Sequence, residues 1–271
     1  MSQTNLFFIP YTYLKMTTEN EEQEKSESGA PIYRYDENAE RPFTPATGNE
    51  SSIEQISEHI ERHIGPIESV FHELISDTIH IDVYWVKPGA ERPYHTLVTS
   101  GMSDLPMNVP TEIPEHLSMQ HTELCVLLPP EWQVEKILNH QADDEQTEQF
   151  YWPIRWLKII ARFPHQLNTW IGYGHTIPNG EDAEPFAMNT ELGCILLLPS
   201  VSLGPDFFTL DTKEGKHISF YATFPLYREE MDFKMKKGVD ALLARLESEG
   251  IDDVVDLSRK NVCRKKFLGL F

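Results

Sequence analysis

Two histidines at helical spacing are the first residues in this 271-residue chain that could do chemistry. His59 and His63 are four residues apart, which is the spacing of the two zinc ligands on a metalloprotease helix. That motif also needs a glutamate as general base directly after the first histidine, and Ile60 occupies this position. The pair is therefore interpreted as two surface histidines that flank an apolar helix face.

A second histidine group lies near a predicted strand. His80 and Asp82 are two residues apart, so they would project from the same side of a strand, and His72 is close in sequence. A zinc site needs three or four ligands. We interpret this group as the polar, solvated face of a sheet, and we expect no metal.

The segment 173–180 is rich in residues that form turns, and it follows the apolar pair Trp170 and Ile171. Loops carry function more often than core elements do. A hydrolase that uses His175 and nearby carboxylates is therefore kept as an alternative function.

Nucleotide-binding motifs are not complete in this sequence. Gly172 and Gly174 form a Gly-x-Gly pair, but Ile177 stands where a dinucleotide fingerprint needs its third glycine. The chain contains neither a Walker loop, nor a Gly-x-Ser-x-Gly elbow, nor a kinase signature. We therefore expect no cofactor, while a Ser/His/Asp triad stays open because its members need not be close in sequence.

The charge balance restricts the class of partner. The chain has 23 basic and 43 acidic side chains, a formal net charge of −20. This argues against nucleic acid and against an anionic membrane surface, because both require Lys and Arg. It permits a basic protein partner, such as a toxin or a regulator, and could speed its capture.

Cysteine usage and hydropathy favour a cytoplasmic protein. The three cysteines, Cys125, Cys194 and Cys263, are scattered singly, as expected for free thiols in a reducing compartment. No apolar run reaches the length of about 18 residues that a membrane span requires.

The chain divides into a head and one domain. Residues 1–50 are predicted to be disordered, because the segment 17–50 has few large apolar side chains. Translation from Met16 is a further hypothesis for this end. Residues 51–271 form the predicted domain, which begins with a helix that carries isoleucines on one face, starts at Ser51 or Ser52 and ends at Gly65-Pro66.

Strands and helices are mixed in the domain without a regular alternation, which favours the α+β class. Strands are predicted at 79–86, with its hairpin partner at 94–99, and at 122–128, 190–198 and 217–224. The segment 139–149 is predicted to be an acidic loop.

Two further helices are predicted. The first begins with Pro153 at its first position, ends before Pro164, and is apolar around most of its circumference except for Arg155, Lys158 and Arg162. The second is one long amphipathic helix with Gly250 at its C-cap. Its apolar face carries Met231, Met235, Val239, Leu242 and Leu246.

The tail between Ser258 and Lys266 is basic and contains no acidic residue. It could contact nucleic acid or an acidic partner. We favour the interpretation that the tail docks on the acidic surface of its own domain.

Several blocks spread over residues 53–267 resemble the suppressor-of-fused family, most closely its bacterial single-domain branch. They are 63–65, Thr99–Pro106, Trp152–Arg162, Gly172–Gly180, 231–234 and Val255–Asn261. The resemblance implies a single domain with a central, mostly antiparallel mixed sheet flanked by helices, and no catalytic activity. It also implies protein binding, since animal members hold zinc-finger transcription factors through an added peptide strand. Bacterial members are regarded as immunity proteins that neutralise toxins.

The same resemblance indicates the binding residues. The end of the helix and the following loop contribute a tyrosine and an acid to the peptide site in the animal branch. Phe163 and Gly174 stand at these places, with His175 retained, so the same peptide is not expected as the ligand. Asp104 matches its block directly and could bind or cap backbone amides. The candidate partner-binding residues are Phe163, Tyr173, Gly174, His175, Asp104, Arg155, Lys158 and Arg162.

Three functions remain open on these grounds. The favoured one is a non-enzymatic binding module, in particular an immunity protein that neutralises a toxin. The hydrolase built around His175 is the second. The third is a dimeric regulatory protein that self-associates through a sheet edge or through the methionine-bearing helix, because Met suits adaptable interfaces.

Overall fold

The computed structural model describes residues 23–35, 50–73, 78–138 and 145–264. Its helices are α1 (Glu50–His63), α2 (Val134–Leu138), α3 (Glu145–Gln166), α4 (Arg228–Lys237) and α5 (Val239–Ser248). Its strands are β1 (Ile67–Phe71), β2 (Asp82–Val86), β3 (His95–Ser100), β4 (His121–Leu128), β5 (Thr176–Pro178), β6 (Leu192–Leu198), β7 (Thr209–Asp211) and β8 (His217–Tyr227).

One sheet of eight strands organises the molecule, in the order β1-β2-β3-β4-β8-β6-β5, with β7 paired to β8. Every neighbouring pair is antiparallel except β4 and β8, which are parallel. The predicted α+β class with a mostly antiparallel mixed sheet in a single domain is confirmed. The predicted hairpin is confirmed as well, because β2 and β3 pair directly.

Helices cover both faces of the sheet. On one face, α3 packs on a core that includes Trp85, Leu124 and Trp152. On the other face, α1 packs on Tyr84 and its neighbours, while α4 and α5 cover the β6 and β8 end. Successive residues of β2 point to opposite faces of the sheet, yet Val83, Tyr84 and Trp85 are all buried. Helices on both faces explain this burial.

The helix α3 is longer than the prolines indicated, and both Pro153 and Pro164 lie inside it. Pro153 has no N–H to donate to the carbonyl of Gln149, and Asn189 Nδ2 donates to that carbonyl instead, at 3.2 Å. A side chain from another part of the fold thus satisfies the group that a proline leaves without its helical partner. The predicted acidic loop therefore becomes helical from Glu145, and its earlier part, 139–144, lies outside the described residues.

The predicted long C-terminal helix is two helices. Gly238 has a φ of 89°, and the chain turns there between α4 and α5. The predicted apolar face is buried in part: Leu242 and Leu246 are buried, and the half-buried Met231 and Val239 pack with them. Met235 is half-buried. Gly250 ends α5 as predicted: Ile251 N–H donates to Leu246 at 3.1 Å across this glycine.

The expected disordered head is only partly described. Residues 23–35, which we call the strap, form a small hairpin in which Ser26 N–H donates to Ala30 and Ile32 N–H donates to Glu24, both at 2.8 Å. The strap packs on the domain, so disorder does not hold for this stretch. The remainder of the predicted head, 1–22 and 36–49, lies outside the described residues.

No helix in the described part of the chain is long and apolar enough to cross a membrane. Two of the cysteines, Cys125 and Cys194, are buried, Cys263 is half-buried, and all three are free thiols.

Candidate functional site

The polar stripe of α3 ties this helix to the edge of the sheet. Lys158 Nζ donates to the carbonyl of Phe71 on β1 at 3.0 Å, and the Arg162 guanidinium forms an ion pair with Glu73. Burial lowers the pKa of Lys158, and the charge of Asp82 opposes part of this shift. These contacts give Lys158 and Arg162 structural roles at the β1 edge of the sheet.

Arg155 lies further toward the start of the same helix and also has partners in its own chain. Its guanidinium pairs with Glu148, about two turns earlier, and donates to the carbonyl of Phe186 at 3.3 Å. The three basic residues are thus engaged within the domain.

Asp104 closes a short 3-10 helix, Met102–Asp104, whose conformation depends on a buried carboxylate. Glu123 Oε1 accepts hydrogen bonds from Gly101 N at 3.0 Å and from Ser103 N and Oγ at 2.9 and 2.7 Å. Thr99 Oγ1 donates to the other oxygen at 2.6 Å. Glu123 is therefore an acid that caps the amides of this turn. No sequence pattern indicated it, because it sits within an apolar strand.

Phe163 lies in the last turns of α3, and the strap covers it. The ring of Tyr35 meets that of Phe163 edge to face, with centroids 5.3 Å apart. Tyr35 is itself only 9% exposed, and its hydroxyl donates to Thr169 Oγ1. The carboxyl end of α3 also reaches the turn next to Asp104, because His165 Nε2 lies 2.9 Å from the carbonyl of Met102. Phe163, the strap and the Asp104 turn therefore converge at this end of α3.

The loop after α3 places its three candidate residues in different surroundings. Tyr173 is 47% exposed and presents its ring to solvent. Gly174 is buried, has a φ of 75°, and its N–H donates to Leu197 at 2.8 Å. The segment is not a free loop throughout, since Thr176 begins strand β5 at the sheet edge.

His175 is half-buried and packs against Trp170, with ring centroids 4.4 Å apart. Burial, together with the charge of Lys234, lowers the pKa of His175 to about 4. The imidazole is consequently neutral at pH 7 and is a weak base. Its charged neighbour is a lysine and not a carboxylate, so these surroundings do not favour the predicted hydrolase.

Lys234 is a functional candidate that the sequence reasoning left without a role. It is 8% exposed, and its Nζ donates to Thr176 Oγ1 at 3.3 Å. Burial lowers its pKa, while the thiol of Cys194 acts in the opposite direction. Its position on α4 among hydrophilic residues gives no local signal of burial.

The histidines at helical spacing and those near the strand lie in different surroundings. His59 is buried between Phe207 and Phe220, at centroid distances of 5.2 and 5.0 Å, so the expectation of a surface residue is wrong for His59. The pattern missed this because the 3-10 helix Pro205–Phe207 and strand β8 bring these two rings to the helix from a distant part of the chain.

His72 and His80 both contact Asp82, at 2.9 and 3.0 Å, as their spacing suggested. Within the described ranges, no group of three or more His, Cys, Asp or Glu side chains could hold a metal ion.

Comparison with known proteins identifies the family. The family model "Suppressor of fused protein (SUFU)" matches residues 77–260, more than half of the chain. The chain belongs to the suppressor of fused family. No curated protein matches it.

Solved structures with the same fold include a SUFU homologue from Neisseria gonorrhoeae, with a TM-score of 0.54 and 15% identity over 80% of this chain and all of that one. The structure described as the Sufu–Fu complex has a TM-score of 0.52 and 17% identity, and covers 80% of this chain and 92% of the other. Drosophila Suppressor of Fused has a TM-score of 0.51 and 18% identity over 81% of this chain, which spans 52% of that protein. At these identities the likeness shows the fold alone.

The basic tail of this suppressor of fused domain is held by its own chain, as favoured from the sequence. Arg259 is buried and forms a bidentate ion pair with Glu230, at 2.7 and 2.6 Å. Lys260 pairs with Glu249 at 2.5 Å, and Arg264 pairs with Glu191 at 3.6 Å. Lys265 and Lys266 lie outside the described residues.

Proposed function

We propose that this suppressor of fused domain is a non-enzymatic protein-binding module. The observation that carries the proposal is the family match over 77–260, together with a solved relative described as a Sufu–Fu complex. Two features of the candidate site support it. The half-buried imidazole of His175 has Lys234 as a charged neighbour, and Tyr173, two residues earlier, is 47% exposed.

The proposed partner is a basic protein, and we favour a toxin that a bacterial member of the family neutralises. The net charge of −20 supports this choice, because acidic binders capture basic proteins quickly and with little tendency to hold nucleic acid. The ion pairs of the basic tail also support a basic partner. Arg259, Lys260 and Arg264 are already paired within the chain, so the acidic excess of the domain is left for a partner.

Self-association is a weaker explanation of the same features. The methionine-bearing face of α4 and α5 is packed in a core with β6 and β8, so it is engaged within the monomer. The three-residue strand β5 offers only a short sheet edge for pairing with a second copy.

Capture with the tagged full-length chain would test the proposal. We expect the wild type to recover a defined basic protein, and Tyr173→Ala to recover less of it, because an exposed aromatic side chain is a typical interface anchor. Met188→Ala is the matched control, since Met188 is 99% exposed on another loop. Equal capture by all three variants would remove Tyr173 from the interface.

A growth assay would test the immunity role. Each toxin encoded next to the gene is expressed with and without this chain, and we expect the chain to restore growth against one of them. The association rate of that pair should fall steeply with added salt. Absence of a captured partner together with absence of rescue would contradict the proposal.

A further inference from the structure

The strap, residues 23–35, packs on the domain at the carboxyl end of α3. This contact bears on how binding could be regulated. The strap is a folded unit of its own: besides the two backbone hydrogen bonds of its hairpin, Arg34 forms a two-point ion pair with Glu24 inside it. Gly29 supplies the turn with a φ of 87°. It therefore needs few contacts with the domain to keep its shape.

The contacts that hold the strap on the domain differ in strength. Tyr33 is partly buried against the main core. Ser28 N–H donates to the carbonyl of Met235 at the end of α4, at 3.1 Å. Glu27 and Lys236 form an ion pair at 3.3 Å, but both side chains are more than half exposed. Exposed pairs contribute little because water and salt screen them.

Tyr35 is the one buried anchor of the strap. Its ring packs edge to face on Phe163, its hydroxyl donates to Thr169, and burial raises its pKa to about 12. On the domain, Phe163 of α3 contacts the ring of Tyr35, and Thr169 after α3 accepts from its hydroxyl. Together they form a receptor for an aromatic side chain that carries a hydroxyl.

The Tyr35 anchor lies at a candidate partner-binding residue. Phe163 is one of the residues that the family resemblance indicated for partner binding, and the strap occupies it. Residues 36–49 join the strap to α1, so the strap is tethered beside its receptor. A covalent link of this kind gives the strap an effective concentration on the order of millimolar at its receptor, enough for a weakly held segment to compete with a partner.

We propose that the strap is a displaceable internal occupant of the protein-docking surface at the carboxyl end of α3, and that a partner segment must replace Tyr35 there in order to bind. This inference rests on the proposed function and adds a mode of regulation to it. Its consequence is that a change which weakens the Tyr35 anchor increases, and does not reduce, binding at Phe163.

The test uses the full-length chain and a fluorescein-labelled synthetic peptide with the sequence of residues 23–35 as the probe. The Tyr35→Ala chain should bind this peptide saturably, and the wild-type chain at least about tenfold more weakly, because its own strap competes at the effective concentration given above. Met188→Ala, which alters a 99% exposed side chain outside the strap, should behave like the wild type. A peptide that carries Tyr35→Ala should not bind to any of these chains.

A second measurement covers the case in which Tyr35→Ala does not fold. A protease site is introduced into residues 36–49 of the wild-type chain, and the folded protein is cut there. We expect the strap fragment to separate from the domain during gel filtration at micromolar concentration. A fragment that stays bound, or a peptide that binds Tyr35→Ala no better than wild type, would overturn the inference.

These outcomes are distinguishable from those of the proposed function. If the peptide binds as expected and no protein partner is ever captured, the proposed function fails and the strap contact stands. If a partner is captured equally by the wild type and by Tyr35→Ala, the protein-binding role stands and the regulatory role of the strap is wrong.

Discussion

Two glutamates, Glu123 and Glu230, are both fully buried in this domain but are stabilised in opposite ways. Glu230 faces the guanidinium of Arg259 at 2.6 Å and also accepts from the backbone N–H groups of Tyr227 and Val262. Glu123 faces neutral donors from Thr99 and from the turn 101–103. Burial accordingly raises the pKa of Glu123.

The two glutamates show the structural role of two sequence blocks that resemble the suppressor-of-fused family. The block that contains Gly101 and Ser103 is shaped by Glu123, and the block that contains Arg259 is anchored by Glu230. In both cases the matched residues hold backbone segments in place. The surface that we propose for binding lies elsewhere, at Tyr173 and under the strap.

Loss of the cation beside Glu230 should have the largest effect. Arg259→Met leaves a buried carboxylate without its partner, and breaking a buried pair in this way costs about 3–5 kcal/mol of unfolding free energy. Urea unfolding would measure it. Lys260→Met is the matched control, because its pair with Glu249 is 60% and 39% exposed and should contribute less than about 1 kcal/mol.

The double variant Arg259→Met with Glu230→Gln sharpens this expectation. It should be more stable than Arg259→Met alone, because the amide carries no charge and its oxygen can still accept from Tyr227 or Val262. A double variant less stable than the single one would show that lost packing, and not the unpaired charge, causes the loss.

Gly101→Ala should have the next largest effect, through the turn that Glu123 holds. A Cβ at this position would lie 1.9 Å from the carbonyl oxygen of His80, and the φ of 114° is unfavourable for any side chain. Strain and overpacking each cost about 1–3 kcal/mol. Gly89→Ala is the control, since a Cβ there meets no atom within 4 Å. Similar unfolding midpoints for the two variants would contradict the steric explanation.

Glu123→Gln should have the smallest effect, and its size should depend on pH. The carboxyl has a raised pKa in the folded state, above its ordinary 4.5. The unfolded chain therefore binds fewer protons than the folded chain, and stability from this group is lost as pH rises above about 4.5. We expect the variant to cost about 1 kcal/mol near pH 5.

The difference between the wild type and Glu123→Gln should narrow as the pH rises toward 8. Urea unfolding of both proteins at each pH would show this, since the groups common to both cancel in the difference. A difference that widens with pH would mean that the neutral donors stabilise the ionised form of Glu123 more than burial opposes it.

The periodicity of the sequence determined the type and the approximate place of the main elements. The isoleucine spacing locates α1 to within about one residue of its start at Glu50, and the period-two alternation at 79–86 locates β2 and its hairpin with β3. Local backbone geometry alone produces these repeats. The boundaries of α3 were misjudged, because the partner that satisfies Gln149 at Pro153 comes from Asn189, forty residues away.

Charge and residue type also came from the sequence, including the acidic excess and the free cysteines. The contacts that decide function required the tertiary structure. Tyr35 and Thr169 are 134 residues apart, and the Arg259–Glu230 pair spans 29 residues. A local pattern reports that a side chain is buried but not which distant residue buries it. For this reason only the folded chain showed that Phe163 is covered by the strap and that Glu123 holds the Gly101 turn.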